Sequence, residues 1–144
     1  GRRIARGISF ACVAWIAGSS VWFYFVEYTP RRTYGNPTAY IATEMVRFIK
    51  KQDSVNEVVF IGAPSMYGDF GTLRFLLRNI PIIDIIDPIQ GENPEIRADD
   101  QSIYIFHPAR RDEFDLIQEL WGTGEQGQVL SDTKEVLFFW YRPI

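Results

Sequence analysis

The feature that most constrains this chain is a run of 20 residues without a single charge, GISFACVAWIAGSSVWFYFV at positions 7–26. As a helix rising about 1.5 Å per residue it reaches about 30 Å, the thickness of a bilayer's hydrocarbon core. Arg2, Arg3 and Arg6 stand before it, and Trp22, Phe23, Tyr24 and Phe25 crowd its far end, with Tyr28 two residues beyond the run. Aromatic rings of that kind prefer the headgroup level. The pattern predicts a membrane-spanning helix within residues 1–28, with Trp22, Phe23, Tyr24 and Tyr28 at the interface. Two plainer readings compete. A core helix can be this apolar, although 20 uncharged residues all round are unusual in a small domain. A secretory signal peptide needs a short apolar stretch and a cleavage site, and Ala17-Gly18-Ser19 supplies small residues. Against it, apolar sequence resumes at Val21 and continues to Val26.

Orientation follows from the flanks. Three arginines precede the span, while Arg31 and Arg32 follow it beyond Glu27. That bias places the N-terminus inside and the large domain outside, at the cell membrane. Gly7, Ala11, Ala14 and Gly18 lie on one helical face at spacings of four, three and four, which suits close approach of another spanning helix. Ser9, Ser19 and Ser20 can bond back to carbonyls of their own helix. The partners this implies are the lipid bilayer and other transmembrane helices or subunits of a membrane complex.

The chain has 144 residues and a formal net charge of −3, unevenly placed. Three arginines and one glutamate fall in residues 1–30, leaving 12 basic and 17 acidic residues in the remainder. An acidic domain without a basic stripe is a poor nucleic-acid binder, so no nucleic-acid partner is expected. Cys12 is the single cysteine. It permits no internal disulfide and no thiolate metal cluster.

After a linker at 29–36, residues 37–144 read as an α/β domain. Asn36-Pro37 is a helix start, since proline at the first helical position loses no needed N–H. Ile41, Met45, Phe48 and Ile49 recur at helical spacing, and Lys50 and Lys51 close that helix. Val58–Ile61 is a short apolar run of the kind found in buried parallel strands. A second helix carries Leu73, Leu76 and Leu77, with Asp69 as its expected cap. A second buried strand is expected over 80–86, a third strand over 102–106, and a third helix from Phe114 to Gly122. Residues 129–130 and 136–141 form a terminal hairpin. Phe138 and Trp140 should face one side of the sheet and Phe139 and Tyr141 the other. The expected fold is a small three-layer α/β domain with a mostly parallel sheet and a C-terminal β-hairpin behind one N-terminal transmembrane helix. Residues 87–101, rich in proline, glycine and acids, read as a surface loop.

The residues that invite chemistry are few. Gly62 to Gly71, between a strand and a helix, is where open α/β sheets bind ligands. Its glycine spacing fits neither a P-loop nor a dinucleotide fingerprint, and Asp69 would repel a phosphate. Ser65, Tyr67 and Asp69 in this loop are the candidate ligand-binding residues; the plain alternative is a tight turn with a cap. His107, the single histidine, joins them as a strand-end residue with a useful pKa range. No nucleophile or paired cysteine accompanies it, so no catalytic residue is assigned. Asp84 and Asp87 near a strand end, with Asp99 and Asp100 further on, lack calcium-loop spacing, so neither a metal nor a cofactor is expected.

Three strings, YTPRRTYGNP, IGAPSMYGDFGT and LFFWYRP, together with the apolar helix before them, resemble the C-terminal part of bacterial glycosyltransferase family 39 proteins. These are polytopic membrane enzymes related to protein mannosyltransferases. The resemblance covers nearly the whole chain. It implies a last transmembrane helix followed by a soluble extracytoplasmic α/β domain. The family's catalytic acids lie in an early loop that nothing here resembles, so it implies a non-catalytic region that shapes or recruits acceptor. The reading from another class is a non-catalytic accessory subunit whose single helix packs beside other spanning helices.

Overall fold

The computed structural model describes residues 1–29, 36–91 and 101–144, of which residues 2–6 by backbone alone. The chain divides into two compact units, Gly1–Pro37 and Thr38–Ile144. The first unit is helix α1, Arg2–Trp22, continued without a break by a π-helical turn, Phe23–Tyr28. Gly7–Tyr28 is long and apolar enough to cross a membrane, and none of that span is buried. Phe10 and Trp15 are 78% and 79% exposed. A core helix would hide these side chains, so that reading loses its main support. Within the helix Ser19 Oγ donates to the Ile16 carbonyl at 3.0 Å, a back-bond of the kind expected of a helical serine.

The π-turn has a local cause in its aromatics and its terminal threonine. Widening the helix brings residues five apart together, with the Phe23 and Tyr28 rings 6.0 Å apart; Tyr24, four residues before Tyr28, stacks on it at 5.7 Å. Both the N–H and the hydroxyl of Thr29 donate to the Tyr24 carbonyl. Trp22, Phe23, Tyr24 and Tyr28 therefore lie on one continuous helical end, all exposed.

In the second unit, α2 (Pro37–Ile49) starts at the proline and buries Ala42, Met45, Val46 and Ile49. Strand β1 (Glu57–Ile61) follows, then α3 (Gly71–Leu76), β2 (Ile82–Asp84), β3 (Ser102–Phe106), α4 (Arg111–Trp121), β4 (Gly124–Leu130) and β5 (Val136–Pro143). The sheet order is β2-β1-β3-β5-β4. β1 pairs in parallel with both β2 and β3, whereas β5 pairs antiparallel with β3 and with β4. Four strands thus run one way and only β5 opposes them. The domain is α/β with an open mixed sheet, and its antiparallel part is β5, which forms the C-terminal hairpin with β4 and joins it to β3.

Both faces of the sheet are covered. Val58, Phe60, Ile103, Ile105 and Phe138 meet α2 and α3 through Met45, Ile49, Leu73 and Leu77. Val59, Ile61, Phe106, Phe139 and Tyr141 meet α4 through Phe114 and Ile117. The alternation of residues 138–141 sends Trp140 with Phe138 to the first face, and the rings are used for packing.

Three local expectations are corrected. The second strand is not a buried run over 80–86: β2 holds three residues at the sheet edge, and Ile83 is 44% exposed. Only β1 borders it, so one side lacks neighbours to bury it. Asp69 does not cap α3; Phe70 occupies the cap position and makes no side-chain cap bond. The hairpin's first strand starts at Gly124 rather than Val129, because pairing with the apolar β5 holds GEQGQ extended despite its polar, glycine-containing sequence. The loop expected at 87–101 and the linker at 29–36 lie largely outside the described residues.

Candidate functional site

The strand order fixes where a ligand would be sought. From β1 the chain crosses through α3 to β2 on one side, and from β3 it crosses through α4 to β4 on the other. The change of direction lies between β1 and β3, and the crevice beyond their carboxyl ends is the usual binding place in such sheets. His107 stands there, its N–H donating to the Ile61 carbonyl at 2.9 Å just before Gly62. The Gly62 loop turns at once, with the Met66 N–H on the Gly62 carbonyl at 3.0 Å and a cis Ala63-Pro64 bond between them. A Cβ at Gly62 would collide with the Phe60 ring and sit 2.7 Å from the Met66 oxygen, which explains the glycine.

The same end of the sheet is filled from within. Arg110, 9% exposed, donates from Nη1 to the carbonyls of Ala63 (2.9 Å) and Ile86 (3.2 Å) and from Nη2 to that of Asp87 (3.0 Å). Its Nε and Nη2 also grip the two oxygens of Glu113 in a bidentate pair. Glu113 in turn accepts the Ile89 N–H at 3.1 Å. One guanidinium therefore ties the segment after β1 to the segment after β2. The protein has put its own cation where an anionic ligand's partner would stand.

His107 is spent on structure too. Its Nδ1 accepts the Ala109 N–H at 3.2 Å, capping a 3₁₀ turn, Pro108–Arg110, that delivers Arg110 to its place. Burial lowers its pKa, so the neutral imidazole that such a cap requires is favoured.

A second concavity opens at the sheet edge. A cleft of about 410 Å³ lies between α3 and β2, lined by Gly68, Asp69, Arg74, Leu77, Arg78, Ile80, Ile82 and Asp84. The Gly68 N–H donates to Asp84 Oδ1 at 2.7 Å, and a Cβ at Gly68 would strike Ile82. The Asp84 carboxyl is held above the ordinary aspartate range. Burial is the main cause and the neighbouring Asp69 charge adds to it, against a lowering by the Gly68 N–H.

Of the four residues expected from sequence, Asp69 lines this cleft, whereas Ser65, Tyr67 and His107 do not. Ser65 and Tyr67 are exposed on the loop between the two places. The sequence pattern does not single out Arg110, Glu113, Arg74 or Arg78. Arg110-x-x-Glu113 at a helix start was a visible ion-pair spacing, but nothing local distinguishes it from a surface pair. In the first unit Gly7, Ala11, Ala14 and Gly18 are all exposed, and Ala14 and Gly18 contribute with Trp15, Ser19 and Trp22 to a shallow apolar groove. Comparison of the chain with protein-family models, with curated proteins and with solved structures finds no match.

Proposed function

We propose that the chain is a non-catalytic, membrane-anchored domain that works in the extracytoplasmic space at the cell membrane, as the C-terminal region of a lipid-linked-sugar glycosyltransferase. The observation that carries the anchoring is the exposed apolar span Gly7–Tyr28. In water that surface would be costly: apolar area contributes about 25 cal/mol per Å² when removed from solvent, and a spanning helix exposes far more of it than a soluble domain tolerates. The use of His107 and Arg110 as structural ties at the carboxyl end of the sheet supports a scaffold there rather than a reacting centre. The family assignment rests on the strings around Tyr28–Pro37 and Ile61–Thr72, and the acceptor-shaping role is what that resemblance implies.

A second reading has its own observation. The groove at Ala14, Trp15, Gly18, Ser19 and Trp22 is walled by two indoles and floored by small residues, a shape that admits a neighbouring helix. It favours an accessory subunit packed against other spanning helices. The mass of the native polypeptide, taken from membranes and detected through residues 37–144, separates the two. A species far above 16.7 kDa supports the transferase region, and one near 16.7 kDa overturns it in favour of the subunit.

A further inference from the structure

The cleft between α3 and β2 has a charge order set by topology. Because β1 and β2 are parallel, the chain must return from the carboxyl end of one to the amino end of the other, and α3 makes that return. Asp69 comes before α3 and Asp84 ends β2, so both carboxylates sit at the carboxyl end of the sheet. Arg78 and Ile80 come after α3, at the amino end of β2, with Arg74, in the second half of α3, four residues before Arg78. Leu77, Ile80 and Ile82 supply apolar wall between the two ends. Among the described residues, no side-chain hydrogen bond or ion pair engages Asp69, Arg74 or Arg78.

From this segregation we infer that the cleft binds a small zwitterion of the amine–acid class, its ammonium against Asp69 and Asp84 and its carboxylate against Arg74 and Arg78. The methylene linker between the two groups lies on Leu77, Ile80 and Ile82. A cation at the acidic end relieves two costs at once, the burial of the Asp84 carboxylate and its repulsion by Asp69. The guanidinium pair at the other end matches a planar carboxylate, for which arginine provides a fork of donors. A ligand with one charge satisfies only one end, so it binds more weakly than one that carries both. The inference does not depend on which membrane reading holds.

The probe is ε-aminocaproate, titrated into the isotope-labelled chain in uncharged detergent and followed by amide NMR. Caproate and hexylamine serve as the half-charged controls. ε-Aminocaproate is expected to shift the Gly68 amide, whose N–H already rests on Asp84, and to bind about tenfold or more tighter than either control. Asp69→Asn and Arg78→Gln, both at exposed positions, are each expected to weaken it by a similar factor while leaving the rest of the spectrum in place. Equal binding of all three compounds, binding unaltered by both substitutions, or no shift at about 10 mM overturns the inference.

Discussion

At the scale of single residues, Arg110 decides more than any other polar side chain. A guanidinium that is 9% exposed is costly to desolvate, and here it is offset by five donor contacts, three of them to backbone carbonyls. Truncating it strands the Glu113 carboxylate and those carbonyls together. Arg110→Met is therefore expected to destabilise the domain by about 3–5 kcal/mol in denaturant titrations of the chain in detergent. A double change that also makes Glu113 apolar should recover only part of this, because the carbonyls of Ala63, Ile86 and Asp87 still lack a donor. Arg111→Met is the internal comparison. Its pair with Asp115 is exposed and 3.8 Å long, and its cation over the Phe139 ring is 5.5 Å away, so a loss of no more than about 1–2 kcal/mol is expected. If the two substitutions cost the same, the clamp is not what holds the carboxyl end of the sheet. None of this could be read from Arg110 in the sequence. Its neighbour Arg111 has the same composition around it, and the difference is made by carbonyls 23 to 47 residues away in the chain.

At the scale of elements, what could be read depended on whether a segment's partners lie within it. The apolar span, the α2 periodicity, the buried run of β1 and the two-residue alternation of β5 each carry their own signal, and each element stands where that signal put it. β2 and β4 do not, because their fates are set by position. Ile80 to Ile86 is as apolar as β1 yet lies at the sheet edge, and GEQGQ is polar yet is held extended by β5. Gly124 shows how tightly that pairing is made. A Cβ there would meet the Tyr141 hydroxyl and stand 2.7 Å from the Arg142 oxygen, and the hydroxyl is fixed by its bond to the Thr123 carbonyl. Tyr141 is fully buried under α4, so its ring has no room to withdraw. Gly124→Ala should cost about 1–3 kcal/mol by overpacking, read as a lower denaturation midpoint. Gly122→Ala offers a contrast, since its Cβ has open space and its penalty arises from φ of +67° alone. Wild-type stability in Gly124→Ala would mean that the strand begins after Gly124 in solution.

At the scale of the whole molecule, the proposed anchoring assigns the two units to different solvents, and under it the basic flanks of the span bias which side the second unit would occupy. The acidic second unit gives the insertion machinery little to hold back, since carboxylates contribute weakly to orientation and basic residues near the span dominate. Three arginines before the span compete with two after it, a difference of one charge partly reinforced by Glu27. So narrow a margin makes the orientation sensitive to small changes in the flank, and the direction of each change is fixed. For the chain inserted by itself, Arg31→Gln with Arg32→Gln widens the bias and should leave the C-terminus uniformly outside. Replacing Arg2, Arg3 and Arg6 with glutamine reverses it, and a substantial share of molecules should then hold the C-terminus inside. Protease protection of a C-terminal tag in sealed vesicles reads both populations. A tag that stays outside in every variant would show that the flanking arginines do not set the orientation. The topology would then have to come from contacts of the span with other helices, which would move weight to the groove beside Gly18 as the feature that places this chain in the membrane.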